Sequence, residues 1–286
     1  MIDPFHSHRG LLFTVAYEML GSAADAEDVV QETWLRWSKV DQAEVRDSRA
    51  YLVRMVTRQA LNRLRTLSHL REDYVGEWLP EPLLTSPDVA ADSELAANVS
   101  IAMLTVLETL GPTERAVFVL REVFETSYDE IAEVVGKTPA AVRQIAHRAR
   151  EHVAARRPRM QVNRAQQEAT LQKFMDAVTS GDVQGFMDVL APDVVLIADG
   201  GGFVRAARKP LVGAEIVTAF LARVANFSEL VATTAWFNGM PGARIAVGSD
   251  VSAVSLEIEG DRITHIYAIR NPHKLRVLDQ VTELRR

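Results

Sequence analysis

The stretch TSYDEIAEVVGKTPAAVRQIAHRARE, residues 126–151, constrains the fold more strongly than any other part of the chain. Its apolar spacing predicts a short helix near 128–135, a turn at Gly136 and a second helix. Thr138 is a suitable N-cap, and Pro139 suits the first helical position. The residues of the second helix that can pack inward are Val142, Ile145, Ala146 and Ala149. Together these features predict a helix-turn-helix.

The second helix would carry one polar face. The residues that share it, spaced as one side of a helix, are Ala140, Arg143, Gln144 and His147. In a DNA major groove, Gln can bond adenine and Arg can bond guanine. The basic residues better placed for phosphate contacts, which position a protein without specifying sequence, are Arg148, Arg150, Arg156 and Arg157. The pattern favours DNA binding, although many helical hairpins look similar.

The charges fall into blocks. Residues 46–71 contain seven Arg and one acid, residues 72–94 contain seven acids and no base, and residues 137–159 contain seven Lys or Arg and one acid. Two basic blocks separated by an acidic connector indicate two contacts with a polyanion. The simpler alternative is that these are solvated helix faces.

Residues 5–70 also read as helices. In GSAADAEDVVQETWLRWSK, Ser22 and Asp25 suggest a capping box. The apolar residues that recur there at helical spacing are Val30, Trp34 and Trp37, and the opposite face carries Asp28, Gln31, Glu32 and Leu35. The next helix, from about Arg49 to Leu67, would bury Leu52, Val56, Ala60 and Leu64.

Composition excludes several classes of protein. A length of 286 residues predicts two or three domains. No apolar run reaches the ~18 residues that span a bilayer, and MIDPFHSHRG lacks the pattern of a signal peptide, so we expect a cytoplasmic protein. The absence of cysteine removes disulfides and thiolate zinc sites. Seven histidines are scattered without ligand spacing, so we expect no metal and no other cofactor.

Three stretches, in order, carry a family resemblance. DAEDVVQETWLRWSK, SRAYLVRMVTRQALNRLR and the helix-turn-helix together resemble bacterial extracytoplasmic-function (ECF) sigma factors, over about residues 5–156. The resemblance implies a subunit that directs core RNA polymerase to promoter DNA. It also implies docking of region 2 on the β′ clamp of the polymerase and of region 4 on the β flap.

The resemblance also implies roles for particular residues. Those that would bind core polymerase are Asp28, Gln31, Glu32 and Leu35. Those that would contact the −10 element are Arg54, Arg58, Gln59, Asn62, Arg63 and Arg65. Those that would contact the −35 element are Thr138, Ala140, Arg143, Gln144, His147, Arg148 and Arg150. Many members have Arg-Asn where this chain has Arg58-Gln59, and Asp where it has Asn62.

A C-terminal extension has its own organisation. Helices are predicted at 164–180, from SGDVQGFMDVL and near GAEIVTAFLARV, and strand-like runs near 229–238, 243–248, 251–259 and 262–270. Helices followed by a curled antiparallel sheet predict an α+β cone. The extension resembles the SnoaL-like family, whose fold also serves polyketide cyclases and steroid isomerases. DGGG at 199–202, NPHKL at 271–275 and YVGEWLPEPL at 74–83 match signatures of the SigJ-like subgroup of sigma factors.

The full expectation is a multidomain chain with two all-α sigma domains and an α+β SnoaL-like cone. Residues 1–70 would form the region 2 helical bundle, 71–99 an acidic linker, 100–157 the region 4 helix-turn-helix and 164–276 a regulatory domain. The residues expected to regulate through docking of the linker on this domain are Tyr74, Trp78, Leu79, Pro80, Pro82, Asp199, Gly200, Gly201, Gly202, Asn271, Pro272, Lys274 and Leu275. The alternative for Trp78 is a contact with its own neighbouring helix.

Two alternatives concern the extension itself. A small apolar ligand could enter the cone and shift docking. A retained cyclase-like or hydrolase-like activity would use a pocket with Asp199, Trp236, His265 and Tyr267, which have the residue types for acid–base chemistry. A turn-capping Asp199 and a packed strand His265 are the structural readings of the same residues, and we expect no catalytic residue.

Overall fold

The structure is a computed structural model, and it describes residues 3–71, 74–86, 93–156, 164–226 and 229–285. The chain forms two compact units. The first unit contains Met1–Asp73, Leu104–Arg157 and Glu283–Arg286, and the second contains Tyr74–Met103 and Pro158–Thr282. The linker predicted at 71–99, which is called the connector below, therefore groups largely with the C-terminal extension.

The α-helices, in chain order, are α1 (Pro4–Leu20), α2 (Ala23–Trp37), α3 (Ser48–Arg71), α4 (Ser93–Val99), α5 (Ile101–Leu107), α6 (Pro112–Phe118), α7 (Tyr128–Val135), α8 (Pro139–Ala154), α9 (Arg164–Ser180), α10 (Val183–Val189) and α11 (Ala214–Ala225). The strands are β1 (Leu190–Asp199), β2 (Leu211–Val212), β3 (Leu230–Phe237), β4 (Met240–Val247), β5 (Asp250–Glu259) and β6 (Arg262–Ile269). Short 3-10 turns lie at Gln42–Glu44 and Pro272–Lys274, and a π-helical turn lies at Val119–Val123.

Local sequence signals explain the helix ends in the first unit. The Ser22 hydroxyl accepts a hydrogen bond from the Asp25 backbone N–H at 3.1 Å and caps α2. The Thr138 hydroxyl caps α8 in the same way, with Pro139 at the first helical position. Ser127 and Glu130 form a capping box at the start of α7. The predicted helix-turn-helix is confirmed as α7, a left-handed Gly136 and α8.

The first unit is all-α. Helices α1, α2 and α3 pack against one another, and α3 also packs against α6 and α7. The stripe predicted for α3 is buried, as is the inward face predicted for α8. These residues are Leu52, Val56, Ala60 and Leu64 in α3, and Val142, Ile145, Ala146 and Ala149 in α8.

The second unit is α+β. Its sheet has the strand order β2-β1-β6-β5-β4-β3. Strands β3 to β6 form an antiparallel meander, as predicted, and β1, which lies outside the meander, pairs with β6 in parallel. A parallel partner requires a long connection, which here contains β2, α11 and the meander.

The two faces of this sheet have different covers. On one face, α9, α10 and α11 enclose a core of packed apolar side chains that includes Phe174, Phe186 and Ile266. On the other face, a second cluster joins Leu79 of the connector and Ile101 to Phe237, Tyr267 and other strand residues. Side chains alternate between faces along a strand. The connector therefore forms part of the core of the second unit.

No helix in the described part of the chain is long and apolar enough to cross a membrane.

Candidate functional site

The predicted polymerase-binding residues lie on one open face of α2. Asp28, Gln31, Glu32 and Leu35 are all exposed, while Val29, Val30, Thr33 and Trp37 on the other side are buried. Leu35 is 60% exposed. Together these four side chains form an exposed, acidic stripe along α2 with the apolar Leu35 at one end.

The predicted −10 residues do not all reach the surface of α3. Arg58, Asn62, Arg63 and Arg65 are exposed. Gln59 is buried, and its amide donates to the Thr33 hydroxyl at 2.8 Å. The expectation that Gln59 contacts DNA therefore does not fit, because its side chain instead joins α3 to α2.

Two arginines of the α3 face are already engaged within the first unit. Arg63 donates to the Asp25 carboxylate at 2.5 and 2.8 Å. Arg58 donates to the backbone carbonyl of Glu133 in α7 at 3.0 Å. Arg54 and Glu130 line one cavity of about 460 Å³. Part of the predicted −10 face thus lies against the helix-turn-helix.

A buried arginine joins the two helical regions. Arg115 in α6 is 1% exposed and donates to the carbonyl of Glu18 near the end of α1 at 2.9 and 3.1 Å. It also pairs with Glu108. Burial lowers the pKa of Arg115 to about 9, and the charge of Glu18 opposes that change. Removing one partner of such a buried group is costly.

The polar face of α8 lies open to solvent. Thr138, Ala140, Arg143, Gln144, His147, Arg148 and Arg150 are exposed. Arg150 forms a two-pronged ion pair with Glu122 at 2.8 and 3.2 Å, and His147 lies 3.6 Å from Glu151. Arg143 and Gln144 are at the middle of the face, where a helix in the major groove presents side chains to base edges.

The connector is anchored at Asp199. This carboxylate is fully buried and accepts from the Tyr74 hydroxyl at 2.6 Å, the Leu79 backbone N–H at 2.9 Å and the Lys274 ammonium at 2.7 Å. Burial raises the pKa of Tyr74, and its hydrogen bond to Asp199 raises it further. The three donors come from the connector and from NPHKL, so Asp199 joins these segments.

Strand pairing explains why DGGG and NPHKL meet. Asp199 ends β1 and lies in register with Ile269 at the end of β6. Because the carboxyl ends of parallel strands share one edge, the loops that follow must start side by side. The backbone N–H groups of Arg270 and Asn271 both donate to the Asp199 carbonyl, at 2.7 and 2.9 Å.

Lys274 lies under the aromatic residues of the connector. Its ammonium is 4.0 Å from the centre of the Trp78 ring and 4.9 Å from that of Tyr74. It also donates to the Leu79 carbonyl. A buried ammonium gains from a carboxylate and aromatic faces together. This contact accounts for the large aromatics in a connector.

A second attachment lies further along the connector. The Asn238 side chain accepts from the Leu83 N–H at 2.9 Å and donates to the Val99 carbonyl at 2.8 Å. The Thr85 N–H donates to the Trp236 carbonyl at 2.9 Å, so the connector continues along the end of β3. Leu79, Pro80, Pro82 and Leu83 are buried.

The four residues considered for acid–base chemistry do not form one pocket. Trp236 points to the helix-covered face, where its ring centre lies 5.5 Å from the Arg164 guanidinium, while Tyr267 is on the connector-covered face. His265 and the Tyr267 hydroxyl both contact the Glu257 carboxylate, at 3.1 and 3.2 Å. Among the described residues, no group of three or more acidic or histidine side chains could hold a metal.

Asn238, Arg115 and Glu257 were missed at the sequence level. Asn238 stands in an Asn-Gly hairpin turn with φ of 56°, and that dipeptide predicts a turn without indicating a partner. Arg115 lies in PTERAVF, where nothing distinguishes it from a surface arginine. Glu257 alternates with Leu256 and Ile258, a pattern that predicts a solvent-facing side chain, whereas the structure buries it.

Comparison with known proteins defines the class. Residues 5–69 match the family Sigma-70 region 2, and residues 100–153 match Sigma-70, region 4. Over 96% of its length the chain is also 35% identical to a known ECF sigma factor. The chain belongs to the ECF sigma factors of RNA polymerase, and it acts with core polymerase and promoter DNA in transcription initiation.

That relative is the ECF RNA polymerase sigma factor SigJ of Mycobacterium tuberculosis strain H37Rv, 92% of which is covered. A probable ECF sigma factor, SigI, of the same strain is 31% identical over 95% of this chain and 93% of its own. The crystal structure of M. tuberculosis SigJ matches with a TM-score of 0.78 at 30% identity, over 96% of this chain and 98% of that one. The expected family and the architecture of two helical sigma domains and an α+β domain are confirmed.

Proposed function

We propose that this sigma factor is held in a closed form by its own C-terminal domain, through the connector. The observation that carries the proposal is the anchor at Asp199, which fixes Tyr74 and Leu79 on the second unit. These connector residues lie between the region 2 and region 4 segments in the chain. Holding them restricts how far the two regions can separate.

The first unit supports the same proposal. Arg58 of the −10 face is bonded to α7, and Arg115 ties α6 to α1. A promoter-bound form needs the α3 and α8 faces free to reach two separate DNA elements. Core polymerase would compete with the closed form by binding region 2 through the β′ clamp and region 4 through the β flap. The complex would work in the cytoplasm.

The α+β domain acts here as a regulator without catalysis. Asp199, the carboxylate best placed for acid–base chemistry, already accepts from three donors and is fully buried. A general base must reach the proton of a substrate. Apolar side chains between the helices and the sheet pack into one cluster, at whose edge Met187, Leu190 and Ala214 line an open cavity of about 520 Å³.

Substitutions on α2 test the polymerase surface. Asp28→Ala with Glu32→Ala should abolish core binding while the protein stays folded, because both side chains are exposed. The matched control is Glu168→Ala with Asp176→Ala, two exposed acids of α9. Binding would be measured with purified core polymerase, and folding by thermal melting. Normal core binding by the α2 double variant would refute the assignment of this surface to polymerase binding.

Substitutions on α8 test the DNA surface. Arg143→Ala should weaken preference at one or more −35 positions, with a cost of about 1–3 kcal/mol for a lost base contact. Arg156→Ala should weaken binding to all DNA sequences alike and reduce the salt dependence of that binding, as loss of a phosphate contact does. The measurement is transcription by reconstituted holoenzyme from a randomised promoter library. Unchanged −35 preference in Arg143→Ala would contradict the assignment.

A further inference from the structure

Two arginines converge on one tyrosine at the start of the helix-turn-helix. Tyr128 is the first residue of α7, and the guanidinium carbons of Arg121 and Arg143 lie 4.6 and 5.8 Å from the centre of its ring. Both ring distances are within the range of a cation–π interaction.

The tyrosine is itself held in place. The capping box of Ser127 and Glu130 fixes the backbone at the start of α7, with the Ser127 hydroxyl 2.7 Å from the Glu130 carboxylate. The ring is half-buried, so one part of it packs on the domain and the rest meets the arginines. A side chain with two rotatable bonds on a capped helix start has little freedom to move.

The arginines have a reason to need such a support. Like charges close together repel, and a long exposed side chain loses entropy when it is ordered on DNA. The ring offers its negative face to Arg121 and Arg143, and Glu122 neutralises Arg150 at 2.8 Å. Arg143 lies on the α8 face proposed to read DNA, whereas Arg121 lies in the π-helical turn before α7.

We propose that Tyr128 is a positioning residue for −35 recognition, which holds the Arg143 guanidinium ready to contact a base. The inference rests on the proposed role of α8 as the DNA-reading helix. Tyr128 acts through its ring on Arg143. The ring therefore governs base preference, and the hydroxyl is not required for it.

A double-mutant cycle tests this with holoenzyme and a promoter library randomised over both elements. Arg143→Ala first identifies the −35 position whose base preference depends on Arg143. Tyr128→Leu should lower the preference at that position about two- to fivefold, the range that an exposed cation–π interaction supplies. Tyr128→Phe should retain it, because the ring remains. In the Arg143→Ala background, Tyr128→Leu should have no further effect on that preference.

The control and the second variant keep the test decisive. Asp129→Ala changes the next, exposed residue of α7 and should leave base preferences unchanged. Thermal melting reports whether each variant folds, and Tyr128→Met supplies a second ring-free side chain if Tyr128→Leu does not fold. Wild-type preference in both ring-free variants, an equal loss in Tyr128→Phe, or an additive loss in the double variant would overturn the proposal. If Arg143→Ala itself left every −35 preference intact, the DNA-reading assignment of α8 would fall, and this inference with it.

Discussion

Gly201 shows how strongly a single residue is constrained at the connector anchor. Its φ is 57°, in the left-handed region, and a Cβ placed there would meet the Asn271 side chain and come within 2.9 Å of the Tyr74 hydroxyl. The Asn271 amide also donates to that hydroxyl at 2.8 Å. Only glycine allows Tyr74 and Asn271 to approach the loop so closely.

Gly201→Ala should therefore release the connector, and Gly260→Ala is its matched control. Gly260 also has a left-handed φ, of 62°, but a Cβ there meets nothing within 4 Å. Both variants should lose about 1–2 kcal/mol from backbone strain. Only Gly201→Ala should also remove hydrogen-exchange protection from the Leu79 amide, which donates to Asp199. Equal protection of Leu79 in the two variants would show that the close approach does not matter.

His265 gives the second unit a pH dependence with a definite sign. Burial lowers the pKa of His265, but its hydrogen bond to Glu257 and the charges of Glu257, Glu259 and Asp193 outweigh this and raise the pKa above its ordinary value of 6.5. The folded state thus binds the proton more tightly than the unfolded state. This contribution to stability is fully present below pH 6.5 and is lost as the pH rises through the folded pKa.

Unfolding by urea between pH 6 and pH 8 should show this loss, and His265→Gln should remove the part that comes from this histidine. The effect should be modest, because the side chain is 36% exposed and solvent screens the pair. His8→Gln, which changes a histidine of the first unit, is the control and should keep the wild-type change of unfolding free energy with pH. If His265→Gln also kept that change, the pH dependence would belong to other groups.

At the scale of elements, periodicity and capping predicted most of the helices, whereas the arrangement of the sheet depends on how its strands pair. The bounds of α9 were predicted at 164–180 and are Arg164–Ser180, because Leu171, Phe174 and Val178 form a clear stripe. The meander strands were also predicted to within a few residues. The parallel register of β1 with β6 was not, since it depends on a partner distant in sequence. That register is what places Asp199 beside Asn271.

The second connector attachment depends on one turn residue between β3 and β4. Asn238→Ala should leave the buried Leu83 N–H and Val99 carbonyl without their partner, at a cost of about 2–4 kcal/mol for two such groups. Asn238→Gly is the comparison, because it relieves the positive φ but removes the same side chain. Both variants should expose the Leu83 amide to hydrogen exchange. Full protection of Leu83 in either would mean that Asn238 only shapes the turn.

At the scale of the whole molecule, sequence predicted which segments should meet but not how they would bond. Trp78 and Lys274 belong to signatures that the family resemblance linked, yet the stacking of the ammonium on the ring follows only from the folded loop. The −10 face shows the opposite case. Gln59 follows Arg58 in a basic stretch, and only the packing of α3 on α2 turns its side chain inward.

The proposed closed form depends on the length of the connector. Residues 71–99 could span up to about 95 Å if extended, at about 3.3 Å per residue. Residues 74–86 are instead bonded along the second unit, from Asp199 to Asn238. In the proposed closed form, regions 2 and 4 would separate fully only when this segment detaches.

Trp78→Ala should shift that equilibrium toward the open form. Loss of the contact with Lys274 should cost about 2 kcal/mol of docking free energy, or roughly a 30-fold change in the ratio of docked to released connector. The radius of gyration from X-ray scattering should increase, and promoter-dependent transcription by the holoenzyme should rise. Trp236→Ala is the matched control, because Trp236 lies on the helix-covered face of the same sheet, against Arg164. If Trp78→Ala and Trp236→Ala gave the same scattering profile and the same transcription, the connector would not hold the closed form.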